Sequence, residues 1–62
     1  MDFIDRLKTE QIELSEKLNK LESFVKSENW ENVDVQQKVL LAMQLDAMTN
    51  YNDILIKRLS LL

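Results

Sequence analysis

Sixty-two residues, 45% apolar, with 8 basic and 11 acidic side chains and a net charge of −3, leave room for one small domain at most. Such a chain hides only about 60% of its unfolded surface when it folds alone. It contains no Gly, Pro, Cys or His, which excludes a disulfide staple, a thiolate nucleophile, an imidazole base, an ordinary zinc site, glycine hairpin turns and a phosphate-cradling loop.

The residues that remain (Leu, Glu, Lys, Gln, Met) are strong helix formers, so the chain reads as all-α. A first helix is expected over about 2–27. Ile4, Leu7, Gln11, Leu14, Leu18, Leu21 and Val25 follow one another at alternating spacings of three and four, an unbroken heptad seam with a single polar member. Glu13 and Lys17, Glu16 and Lys20, and Glu22 and Lys26 stand four apart in the favourable Glu-first order, worth about 0.2–0.5 kcal/mol each. Phe3 and Phe24 flank the seam at its two ends.

The stretch 28–33, polar and rich in Asn, is the expected connection, a length suited to neighbouring antiparallel helices. It holds the only Trp, Trp30, which is expected to fold back over the end of the hairpin and cap its core. A ligand-stacking role is the alternative.

A second helix is expected over about 34–62. Asp34 is a good N-cap, and Gln37 three residues on resembles a capping box. Leu41, Leu45, Met48, Asn52, Leu55, Leu59 and Leu62 form its seam, again with one polar member. A second stripe runs beside it through Leu40, Ala47, Tyr51, Ile54 and Leu61, with Val39, Met43 and Ile56 adding to the apolar total. One partner helix covers only one stripe of about 100°. The remaining apolar surface must meet something else. The usual supports of a small domain are disulfides, metals or oligomerisation, and the composition removes the first and argues against the second. The expected architecture is therefore an antiparallel, coiled-coil-like helical hairpin, one domain over 1–62, that assembles into a homo-oligomer. Gln11 falls level with the 50–52 region of the second helix. A buried amide contact that fixes register is expected there. The alternative is a polar pocket between subunits that includes Tyr51.

Function is legible mostly by exclusion. The serines lack a base, and the carboxylates stand on solvated helix faces beside lysines, so the chain is not expected to be an enzyme and calls for no cofactor or metal. The acidic balance is wrong for duplex DNA. No apolar run approaches the roughly 18 residues that span a membrane, and the start Met1-Asp2-Phe3-Ile4-Asp5 is acidic where a signal peptide is basic. A cytoplasmic protein is expected. Among the cations Arg58 stands apart, because it falls on the Tyr51–Ile54–Leu61 stripe. A cation there is ion-paired or held for an anionic ligand, and symmetry would repeat it at each interface. Tyr51 or Phe3 nearby offers a ring for stacking on a base.

The order Phe3-x-x-Arg6-Leu7-x-x-Glu10, Glu13-Leu14, Lys17-Leu18, Lys20-Leu21-Glu22-x-Phe24, Leu40-Leu41-x-x-Gln44-Leu45-x-x-Met48-x-x-Tyr51 and Leu55-x-x-Arg58-Leu59 resembles the small hairpin proteins of crAss-like phages. These are grouped with the hairpin domain of the phage anti-CBASS and anti-Thoeris cyclic-nucleotide sponges. The resemblance spans nearly the whole chain, and its most specific part is Gln44-Leu45-x-x-Met48-x-x-Tyr51. It implies a non-catalytic homo-oligomer, a hexamer in one branch, that acts in the host cytoplasm. Such an assembly sequesters cyclic oligonucleotide or cyclic ADP-ribose type immune messengers between its subunits. The longer sponges add an aromatic from an N-terminal arm, a role that falls here to Phe3 or Tyr51. Carried onto this sequence, the resemblance implies Lys17 or Lys20 from the first helix and Arg58 from the second as phosphate contacts. The competing expectations are a protein-interaction module that docks a foreign helix on the spare stripe, and a structural coiled-coil piece without a small ligand.

Overall fold

The computed structural model describes residues 2–62. Helix α1 spans Phe3–Val25, a short 3-10 helix spans Glu28–Asn32, and helix α2 spans Val35–Ser60. The two long helices pack against each other as a hairpin, so the chain is all-α. Each begins at an aspartate whose side chain satisfies an amide that has no partner within the helix. The Asp2 carboxylate accepts from the Asp5 N–H at 2.8 Å, and the Asp34 carboxylate accepts from the Gln36 N–H at 3.1 Å. The reciprocal Gln37 bond of a capping box is not formed among the described residues. The Glu–Lys pairs of α1 likewise do not close to ion-pair distance among the described residues, and those side chains stand in water.

At the turn, Trp30 meets the Phe24 ring edge-on, with centroids 6.1 Å apart and planes at 87°. The Lys38 ammonium lies 5.6 Å from the Trp30 ring centroid. The indole thus folds back at the turn and bridges the end of α1 and the start of α2 through Phe24 and Lys38.

The seam residues face one another along most of the hairpin, but Ile4 and Leu62, the seam members at its open end, are exposed because neither helix extends past them to cover them. Leu7, Leu14, Leu18 and Leu55 are buried, and Met48 and Leu59 pack on the cluster of Leu7, Leu14 and Leu55. In the middle of this apolar line, Gln11 Nε2 donates to Asn52 Oδ1 at 3.2 Å. The two polar members of the two heptad seams therefore meet. This bond sets the register: a shift of one heptad would leave each amide against a leucine or isoleucine, without a partner. Gln11→Leu alone should destabilise the hairpin by about 1–3 kcal/mol, because Asn52 loses its partner in a half-buried site. Adding Asn52→Leu should recover most of that loss. Urea denaturation followed by circular dichroism measures both, and a double variant no more stable than the single would contradict the assignment.

The hairpin is a rod, 42 × 15 × 15 Å, with a radius of gyration of 14.2 Å. A compact domain of this length would have about 10.5 Å. Its accessible surface is 4957 Å², whereas a compact monomer of 7.4 kDa exposes about 4200 Å². Most of the large apolar side chains that stay exposed are on α2. Val39, Leu40, Met43, Ile54 and Leu61 are all more than half exposed, as the second stripe of the sequence predicts.

Candidate functional site

The register bond places every cation. Arg58 lies six residues beyond Asn52, so it stands level with the start of α1, six residues before Gln11. There its guanidinium carbon sits 5.9 Å from the centroid of the Phe3 ring. Phe3, Arg6, Leu7, Glu10 and Arg58 line a cleft of about 320 Å³ between the two helices at the open end of the hairpin. Leu7 forms its apolar floor and is buried. Arg6, Glu10 and Arg58 are exposed at its walls, so the cleft carries two guanidiniums against one carboxylate.

Helix periodicity explains why these residues meet. Phe3, Arg6 and Glu10 are spaced three and four apart, so they form one line along α1 beside the seam. Arg58 continues the Leu40–Ala47–Tyr51–Ile54 stripe of α2, on the same side of the hairpin. Arg58 closes no ion pair among the described residues, and its contact there is the Phe3 ring. A guanidinium held on a ring face keeps its in-plane N–H donors available for a planar or tetrahedral anion.

The other residues picked out by the sequence are not at this cleft. Tyr51 is exposed on the α2 stripe, two helical turns from Arg58 and about 10 Å along the axis. Lys17 and Lys20 are exposed on α1, about 18 and 22 Å along the axis from the Arg58 level. A single copy therefore cannot bring either lysine and Arg58 to the same phosphate. Arg6 and Glu10, part of the resemblance but given no site role by it, join Arg58 here. The available signal was the pairing of Gln11 with Asn52, which, carried six residues outward, sets Arg58 beside them.

Chemically the cleft can bind and orient an anion. Among the described residues no group of His, Cys, Asp or Glu is placed to hold a metal ion. Among the same residues no helix is long and apolar enough to cross a membrane.

An elongated two-helix hairpin with a guanidinium held on an aromatic ring at its open end, and with no metal cluster among the described residues, has the character of a small binding protein. The chain belongs to the Sequestin family, whose model matches residues 1–61. The family name denotes sequestration. No curated protein and no solved structure matches the chain.

Proposed function

We propose that this protein is a non-catalytic phage sponge: a homo-oligomer that binds cyclic nucleotide immune messengers in the host cytoplasm and withholds them from their effectors. The observation that carries this reading is the Arg58–Phe3–Arg6 cleft, where two guanidiniums and an aromatic ring border an apolar floor. Guanidinium forks suit phosphate, and a ring suits a base. Membership of the Sequestin family supports a binding rather than a chemical role. The chain has no His or Cys to activate a nucleophile. Sequestration needs slow release, hence an enclosed site, and the cleft of one copy is open along one side. Enclosure between subunits answers both the open cleft and the bare flank of α2. In this reading Arg58 holds phosphate, Lys17 or Lys20 of another copy adds charge, and Tyr51 offers a ring face or a hydroxyl.

A thermal-shift panel of cyclic dinucleotides, cyclic trinucleotides and cyclic ADP-ribose isomers tests this. A ligand at about 100 times its Kd adds about 2.7 kcal/mol. For a domain this small that raises Tm by roughly ten degrees or more. At least one messenger class should do so. No response to any member, with the protein folded and assembled, would defeat the reading. It would instead favour the second reading, a protein-interaction module, for which the exposed Leu40–Met43–Ile54 face of α2 is the supporting observation.

A further inference from the structure

The cleft at the open end holds one group that phosphate binding does not use. Of its lining residues, Arg6 and Arg58 can only donate hydrogen bonds, and Phe3 and Leu7 have no polar side-chain atom. Glu10 supplies the one side-chain acceptor. A phosphate needs donors, and a carboxylate beside it repels it. Glu10 also breaks the charge pattern of α1. Glu13, Glu16 and Glu22 each stand four residues before a lysine, whereas Glu10 stands four before the buried Leu14. Its basic neighbour on the same line is Arg6, in the less favourable order, and no ion pair closes between them among the described residues.

We propose that Glu10 sets the selectivity of this cleft, an inference that rests on the nucleotide-binding function proposed above. Its carboxylate accepts from a donor edge of the nucleotide, base N–H or ribose O–H, while Arg58 holds a phosphate. Anions that bring no donor are turned away. The register bond between Gln11 and Asn52 sets Arg58 level with position 5, so Glu10 lies about 7.5 Å farther along the axis. That separation is comparable to the span from the phosphate of a nucleotide to its sugar hydroxyls or base edge. Helical side chains lean toward the N-terminus, so the carboxylate extends over the turn that holds Arg6 and Leu7, toward the apolar floor. A donor group entering along that floor finds Glu10 as its acceptor.

The donor edge has two chemical sources. Guanine presents adjacent donors, N1–H and the N2 amine, that match the two oxygens of a carboxylate. Adenine sets an acceptor, N1, beside its amine, and a carboxylate opposes that acceptor. Ribose hydroxyls are the other source, and carboxylates accept from them in dinucleotide sites. Both sources pair a donor with a phosphate at a fixed distance, which an inorganic anion does not.

Titration calorimetry of the native protein and of its Glu10→Gln and Glu10→Asp variants tests this. The probes are trimetaphosphate, a ring anion with no donor at neutral pH, and cyclic di-GMP, cyclic di-AMP and a cyclic ADP-ribose isomer. Glu10 is exposed, so both variants should keep the native helicity. Glu10→Gln should bind trimetaphosphate about threefold or more tightly, because a repelling charge is gone. Its affinity for the responding nucleotide, relative to trimetaphosphate, should fall by at least about tenfold, because a charge-assisted hydrogen bond is lost. Glu10→Asp keeps the charge and draws it back by one methylene. It should hold trimetaphosphate as the native protein does and bind the nucleotide more weakly. A relative loss for cyclic di-GMP but not for cyclic di-AMP assigns the base edge. A loss shared by every responding nucleotide assigns the ribose hydroxyls. Equal gains for all probes in Glu10→Gln protein would reduce Glu10 to a long-range charge and overturn its role, with nucleotide binding left standing. No response of the native protein to any nucleotide would overturn both readings.

Discussion

Leu55→Ala should unfold the hairpin at room temperature, or leave it folded only at high protein concentration. Leu55 is 0% exposed, the single side chain among the described residues wholly withdrawn from water. It packs with Leu7 and Leu14, with Met48 and Leu59 around them. Truncating a buried leucine to alanine costs about 2–5 kcal/mol, part of it lost transfer energy and part the cavity left behind. A domain below about 70 residues has only about 3–5 kcal/mol to lose from a single core. The rod shape sharpens the effect, because two helices offer few neighbours that can collapse into the gap. Ile12→Ala is the control. Ile12 is 55% exposed on the back of α1, and its loss should stay within about 0.5 kcal/mol. Thermal melts followed by circular dichroism at 222 nm compare the two. Each 1 kcal/mol moves Tm by about 4–8 °C at this size, so the first variant should fall by tens of degrees and the second by a few. Equal losses would mean that the cluster around Leu55 is not the centre of the fold.

Arg58→Ala should weaken binding of the responsive cyclic nucleotide by about ten- to a hundredfold while leaving helicity and assembly in place. Hydrogen bonds to a charged group contribute about 1.5–3 kcal/mol, and Arg58 supplies a guanidinium oriented by the Phe3 ring. Arg58→Lys separates charge from geometry. An ammonium keeps the charge and loses the bidentate fork, so its affinity should fall between the other two. Titration calorimetry at two salt concentrations reads this. The alanine variant should also show a shallower dependence on salt, because one charge fewer faces the ligand. An unchanged affinity in Arg58→Ala protein would remove the cleft from the function. A loss of assembly would move Arg58 from ligand contact to subunit contact.

Much of the hairpin was legible in the residues because its determinants are periodic and local. The alternating three-and-four spacing on both halves identified which face of each helix turns inward, and Leu7, Leu14, Leu18 and Leu55 are buried where that spacing put them. The polar members of the two seams were legible as a pair for the same reason: antiparallel helices of similar length bring Gln11 opposite Asn52. The cleft was harder. Arg58 stood out as a cation on an apolar stripe, but Arg6 and Glu10 looked like ordinary solvated charges. What distinguishes them is their distance from Arg58, a property of how the two rods lie side by side. Lys17 and Lys20 were grouped with Arg58 by resemblance, and a single hairpin separates them along its length.

By itself, then, the order of residues determined that two helices form, where they turn, which faces they bury, and that α2 carries more apolar surface than α1 can cover. Those properties depend on helical repeat and on transfer of side chains from water, and both act over a few turns. Only the tertiary structure decided that Phe3, Arg6, Glu10 and Arg58 share one cleft and that Lys17 does not. Such proximities depend on the register and side-by-side placement of segments some fifty residues apart in sequence, which no local pattern encodes.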